Sequence, residues 1–147
     1  MNPEEVMMQE LPIILTKSDI YCNSKLPVIM FVDDDAEILA EYAELVSAFD
    51  ILAETETSPE EAVIAAIDQS TIRIVVTDFR MAELDGLSMI QKVRAALQPG
   101  RDMTFILLTG DAEIPGVDPD LSVTLLRKPV DPAMLVAVVQ RALATGA

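Results

Sequence analysis

The chain has 147 residues with 25 acidic side chains against 10 basic ones, a formal charge of −15, and is 51% hydrophobic but only 4% aromatic. That length fits one domain with a single aliphatic core, and an acidic surface without a basic, aromatic-interleaved patch argues against direct nucleic-acid binding. No apolar run approaches a bilayer span, Met1-Asn2-Pro3-Glu4-Glu5 lacks the basic start of a secretory signal, and the lone Cys22 excludes an intrachain disulfide, so a cytoplasmic location without membrane association is expected.

In chain order, Asn2-Pro3-Glu4-Glu5 has the form of a capping box opening a short helix with Met7, Met8 and Leu11 on one side. Leu11-Pro12-Ile13-Ile14-Leu15 follows as an extended apolar piece. Apolar surface of this kind calls for cover, so residues 1–24 are expected to form an extension that packs on the domain or mediates a homodimer. From Lys25 onward, strand-like and helix-like segments alternate. Residues 28–32 are a continuous apolar run ending in Asp33-Asp34-Asp35, after which Ile38, Leu39, Tyr42, Leu45, Val46 and Phe49 recur at helical spacing and predict a helix over residues 36–49. Residues 51–55 predict a short second strand. Ser58-Pro59-Glu60-Glu61 supplies a capping serine, a proline in the first turn and a glutamate three residues after the cap. The helix it opens reaches Gln69, with Ala62, Val63, Ala66 and Ile67 inward.

A third strand over residues 72–77 ends in Asp78. The helix over residues 86–97 places Leu87, Ile90, Val93, Arg94 and Leu97 at compatible spacing and stops at Pro99-Gly100. Residues 104–108 form a fourth strand ending in Thr109. Residues 110–122 hold Pro115, Gly116 and Pro119 among acidic side chains, which predicts a loop or one distorted turn. A fifth strand, residues 123–127, runs into Lys128-Pro129, and Asp131-Pro132 opens a last helix carrying Leu135, Val138, Val139 and Leu143 toward the sheet. The alternation predicts a doubly wound α/β fold with a five-stranded parallel sheet and right-handed crossovers. In such sheets ligands bind outside the carboxyl ends of the strands, where Asp33, Asp34, Asp78, Thr109 and Lys128 should converge.

Val32-Asp33-Asp34, Thr77-Asp78-Phe79-Arg80-Met81 leading to Leu84-Asp85-Gly86-Leu87, Leu108-Thr109 and Lys128-Pro129 together resemble the receiver domain of two-component response regulators. The resemblance covers residues 25–144. It implies a flavodoxin-like receiver fold over residues 25–147 whose fourth helix, in residues 110–122, is shortened or irregular. It also implies a signalling protein rather than an enzyme: a stand-alone phosphoacceptor taking a phosphoryl group on Asp78 from a sensor histidine kinase or a histidine phosphotransfer protein, with Mg²⁺. With no second domain after Ala147, output is expected through contacts with a downstream protein target.

The chemistry of these residues suits that role. Asp33, Asp34 and Asp78 offer hard oxygen ligands of the kind Mg²⁺ takes, Asp34 being the favoured direct ligand, while Asp35 suits a helix cap. The resemblance adds the backbone carbonyl of Arg80 as a further ligand. The Asp78 carboxylate can attack phosphorus once a cation offsets the repulsion between two anions. Lys128 is a compact cation for the phosphoryl oxygens, and a Thr109 hydroxyl contact would exist only in the modified state, which is what shifts a two-state equilibrium. In receivers the Lys-Pro bond is often cis. Arg80 and Asp111, two residues after Asp78 and Thr109, flank access to the phosphoryl group in the family, and their pairing would hinder hydrolytic water. Two departures stand out: Ala82 replaces a usual proline, and Leu125 stands where an aromatic commonly reports the threonine. Readout through the loop from Thr109 to Ser122 is therefore expected. A pseudo-receiver that is never phosphorylated is the competing reading. A phosphohydrolase of the haloacid dehalogenase type, suggested by Asp33-x-Asp35, is disfavoured by Glu37 where that family has threonine or valine.

Overall fold

The computed structural model describes residues 26–110 and 122–145. The first strand, β1 (Ile29–Val32), forms where four consecutive apolar side chains can be buried on both faces of a parallel sheet, and none of them is more than 1% exposed. Helix α1 (Ala36–Ser47) starts at Asp35, whose side chain accepts from the Glu37 N–H at 3.0 Å. It ends earlier than the apolar spacing predicts. Asp50 takes a left-handed conformation at φ 63° and Ile51 donates back to the Val46 carbonyl at 3.2 Å, so the chain reverses and Phe49 falls in the turn, 48% exposed rather than inward.

Strand β2 (Ala53–Glu56) and helix α2 (Pro59–Asp68) follow, the helix capped by Ser58 as its motif requires. Strand β3 (Ile74–Asp78) is buried throughout and includes Asp78 itself. Helix α3 (Gly86–Ala96) is capped by Asp85, which accepts from the Ser88 N–H at 2.7 Å. Strands β4 (Thr104–Thr109) and β5 (Val123–Arg127) precede helix α4 (Pro132–Thr145), where the Asp131 side chain accepts from the Ala133 N–H at 2.9 Å.

The five strands are parallel in the order β2-β1-β3-β4-β5. This is the doubly wound sheet the alternation predicts. Val32 is in register with Thr77, Asp78 with Leu108 and Thr109 with Arg127, so the carboxyl ends of the central strands finish level. One sheet face packs Met30, Val32, Val75, Phe105 and Leu107 under α2 and α3. The other packs Ile29, Phe31, Ile74, Val76, Ile106 and Leu108 under α1 and α4. Strands that read as unbroken apolar runs thus still alternate between two cores. The irregular stretch expected between β4 and β5 and the N-terminal extension lie outside the described residues.

The edge strand β2 carries an acidic strain. Burial, followed by the Glu54 and Glu61 charges and a Glu54 hydrogen bond, pushes the Glu56 carboxyl above its ordinary value of 4.5. Because the folded state prefers the protonated form, this group supports stability below 4.5 and loses that contribution as pH rises through its folded value. Glu56→Gln should therefore raise the melting temperature by about 2 °C at neutral pH and leave it unchanged near pH 3. An equal shift at both pH values would mean that packing, not charge, is responsible.

Candidate functional site

The carboxyl ends of β1 and β3 deliver acidic side chains side by side. Leaving β1, the Asp33 N–H donates to the Glu56 carbonyl of β2 at 3.2 Å, which holds the strand exit against its neighbour. Asp33 is 3% exposed and Asp78 8%, whereas Asp34 stands in the open. One carboxylate oxygen from each of Asp33, Asp34 and Asp78 lies within 4.8 Å of the other two. Asp33 accepts from the Asp35 N–H at 2.9 Å through Oδ1, while its Oδ2 is buried without a hydrogen-bond partner among the described residues. A buried orphan oxygen inside a group of three carboxylates is the donor set a hard divalent cation would satisfy.

The electrostatics agree with that crowding. Burial pushes the Asp33 carboxyl up from its ordinary value; the Asp78 and Asp34 charges act in the same direction, and the Asp35 hydrogen bond and Lys128 oppose it. Tyr42 of α1 packs obliquely on Phe31 with 5.3 Å between ring centroids. Its phenol is pushed up by burial and then by the Asp33 and Asp78 charges.

Lys128, just beyond β5, supplies the counter-charge. Its Nζ lies 2.5 Å from Asp78 Oδ1, and its backbone N–H donates to the Thr109 carbonyl at 2.8 Å, tying the ends of β4 and β5 together. The Lys128-Pro129 peptide bond is cis. Thr109, 4% exposed, ends β4, adjacent to Leu108, the register partner of Asp78. Asp33, Asp34, Asp78, Thr109 and Lys128 are thus gathered at one sheet edge.

Residues 29–140 match the model of the response regulator receiver domain. The chain belongs to that family. Over 92 residues the receiver is 30% identical to the C4-dicarboxylate transport transcriptional regulatory protein DctD of Rhizobium meliloti (strain 1021), a match covering 63% of this chain and 19% of that protein. The chain therefore spans about a fifth of the length of that curated relative. Among solved structures it resembles a CheY-like response regulator receiver domain protein from Methanospirillum hungatei JF-1, with a TM-score of 0.71 and 21% identity over 82% of this chain and 95% of the other. The receiver domain of the hybrid histidine kinase CckA gives a TM-score of 0.65 with 27% identity over 78% and 97%. The fold is the CheY-like receiver fold, and the receiver family is one of signalling domains rather than classical enzymes. Among the described residues no helix is long and apolar enough to cross a membrane.

Two further positions of the receiver bear on access and support. Arg80 is exposed beyond β3, with its guanidinium carbon 5.5 Å from the Phe79 ring centroid. Asp111, its expected partner across the mouth, lies outside the described residues. Gly86, read from the sequence only as a helix start, does more. Its N–H donates to the Phe79 carbonyl at 2.7 Å, and a Cβ there would overlap the Asp78 carbonyl oxygen and come within 2.8 Å of Leu107 Cδ1. The first turn of α3 thus rests directly on the Asp78 peptide. The available signal was a residue without a side chain immediately after a capping aspartate.

Gly86→Ala is accordingly expected to cost about 1–3 kcal/mol, measured as a lower urea midpoint at unchanged slope. A midpoint equal to that of the parent would show that α3 can shift freely away from Asp78.

Proposed function

We propose that this receiver accepts a phosphoryl group on Asp78 from a sensor histidine kinase or a histidine phosphotransfer protein and passes the signal through contacts with a downstream protein. Residues 25–147 form the receiver unit in this reading, residues 1–24 an extension, and the protein works in the cytoplasm. The observation that carries it is the placement of the Asp78 carboxylate 2.5 Å from Lys128 Nζ and within a group of three carboxylates that includes a buried, unpartnered Asp33 oxygen.

In the reaction an Asp78 oxygen forms the new bond to phosphorus as the bond from phosphorus to the donor nitrogen breaks, its electron pair leaving with the imidazole. Asp33, Asp34 and Asp78, with the backbone carbonyl of Arg80, would hold Mg²⁺, which when bound neutralises charge between the two anions. Lys128 moves its ammonium from the Asp78 carboxylate to a phosphoryl oxygen, and the Thr109 hydroxyl donates to another. That last contact belongs to the phosphorylated state alone, so it biases the receiver toward a second conformation. Arg80 and Asp111, two residues after Asp78 and Thr109, would flank access to the phosphoryl group in this reading and slow hydrolysis.

Intact mass spectrometry after incubation with acetyl phosphate tests the reading. The parent should gain one phosphoryl group only when Mg²⁺ is present, and Asp78→Asn should gain none. Absence of any gain, from acetyl phosphate and from a phosphorylated histidine phosphotransfer protein alike, would make the chain a pseudo-receiver that acts by binding alone.

A further inference from the structure

An apolar groove runs along the seam between α1 and α4. It consists of two adjoining hollows, one of about 330 Å³ lined mainly by Ile38, Tyr42, Leu45 and Pro132 with Glu41 at its side, the other of about 250 Å³ lined mainly by Leu45, Phe49, Pro132 and Val136 with Gln140. Leu45 and Pro132 border both, so the hollows are continuous. At one end of the groove stands Phe49, 48% exposed, and the same end of the molecule exposes Leu52 at 39% and Leu26 at 56%. These three large apolar side chains, open to water at the end where the groove begins, extend the apolar surface that a segment could bury.

We propose that the occupant is this chain's own apolar segment, Leu11-Pro12-Ile13-Ile14-Leu15, folded back along the α1–α4 seam. Position, reach and chemistry each favour it. The described chain begins at Leu26, and the Val28 N–H donates to the Leu52 carbonyl at 3.1 Å, so residues 1–25 join the domain at the Phe49 end of the groove. An extended chain covers about 3.3–3.6 Å per residue, so the segment between Leu15 and Leu26 spans up to about 35 Å. Helix α1, with 12 residues, is about 18 Å long, and the segment can therefore reach any point along it. Residues 11–15 carry no charge in a chain with 25 carboxylates, and Pro12 favours the extended form that a shallow groove accepts. A tether this short raises the local concentration of the segment into the millimolar range, which favours it over a second copy.

Paramagnetic broadening in the full chain tests the docking. A nitroxide is attached at Ile13→Cys in a Cys22→Ser background, and amide intensities are compared before and after reduction of the label. Loss of signal at Leu45, Phe49, Val136 and Ala137, recovered when the exposed Ala137 is changed to glutamate, is the expected result. A mixture of spin-labelled chains with isotopically labelled, spin-free chains should show no loss. Absence of broadening at those amides in the single-chain sample overturns the proposal, and broadening of similar size in the mixture overturns it in favour of a second copy.

Discussion

Metal-free protein carrying Asp33→Asn is expected to melt about 4 °C above the parent and to lose the further rise that Mg²⁺ gives the parent. In the parent, Asp33 sits 3% exposed with carboxylate oxygens of Asp34 and Asp78 within 4.8 Å. Two unit charges at such a separation repel by about 3 kcal/mol at an effective dielectric constant of about 20. Lys128, paired with Asp78, and solvent around Asp34 cancel much of this, leaving a net strain of about 1 kcal/mol for the substitution to relieve. Asparagine keeps the acceptor that the Asp35 N–H uses at 2.9 Å, so the entry to α1 survives. Its amide nitrogen becomes a donor among the remaining carboxylates. The same change removes a charged ligand from the cation site. Mg²⁺ at about tenfold above its dissociation constant stabilises the parent by about 1.4 kcal/mol, and the variant should show little of that. Melting curves in chelator and in Mg²⁺ decide the matter. A Mg²⁺ response equal to that of the parent would place the ion elsewhere, and a lower metal-free melting temperature would mean that the repulsion is already neutralised.

Much of this fold was legible because its decisive signals are local. Asp35, Ser58 and Asp131 cap helices through hydrogen bonds spanning two or three residues, which any reader of the sequence can place. The runs that became β1, β3 and β4 have apolar stretches of three or four residues because a central parallel strand is buried on both faces. Helical spacing carried past its true end at Phe49, because the reversal there depends on Asp50 adopting a left-handed backbone and on Ile51 entering the core. The edge strand was displaced for a related reason. Ala53-Glu54-Thr55-Glu56 has little apolar character, and its place is set by pairing, Ile29 with Ala53 and Val32 with Glu56. The convergence of the candidate site residues was legible to the extent that strand ends are, since a parallel sheet brings its carboxyl ends together whatever the crossovers do. The pressure of Gly86 on the Asp78 peptide and the orphaned Asp33 oxygen depend on distances across the fold, and no pattern in the chain encodes those.

Replacing Lys128 by methionine should slow the gain of a phosphoryl group on Asp78 by about 10²-fold while tightening Mg²⁺ binding. In the proposed reaction the same ammonium serves two states, so the two effects have opposite signs. Before reaction Lys128 Nζ is 2.5 Å from Asp78 Oδ1, one of the three clustered carboxylates, so it competes with a cation for them. Methionine keeps an unbranched apolar stem of similar length and removes the charge, leaving a more negative pocket that draws Mg²⁺ more strongly. During transfer, negative charge on the phosphoryl oxygens needs a positive group beyond the cation, and the methionine variant has none there. Lys128→Arg restores the charge but not the compact ammonium; its Mg²⁺ affinity should return to that of the parent while the rate recovers only in part. Calorimetry for Mg²⁺ and a mass time course with acetyl phosphate read the two quantities separately. Disruption of the β4–β5 edge alone would weaken both, since the Lys128 N–H to Thr109 carbonyl bond at 2.8 Å helps to hold the strand ends in place. Tighter Mg²⁺ binding with an unchanged rate would instead remove Lys128 from the phosphoryl site and leave it a counter-ion of the resting state.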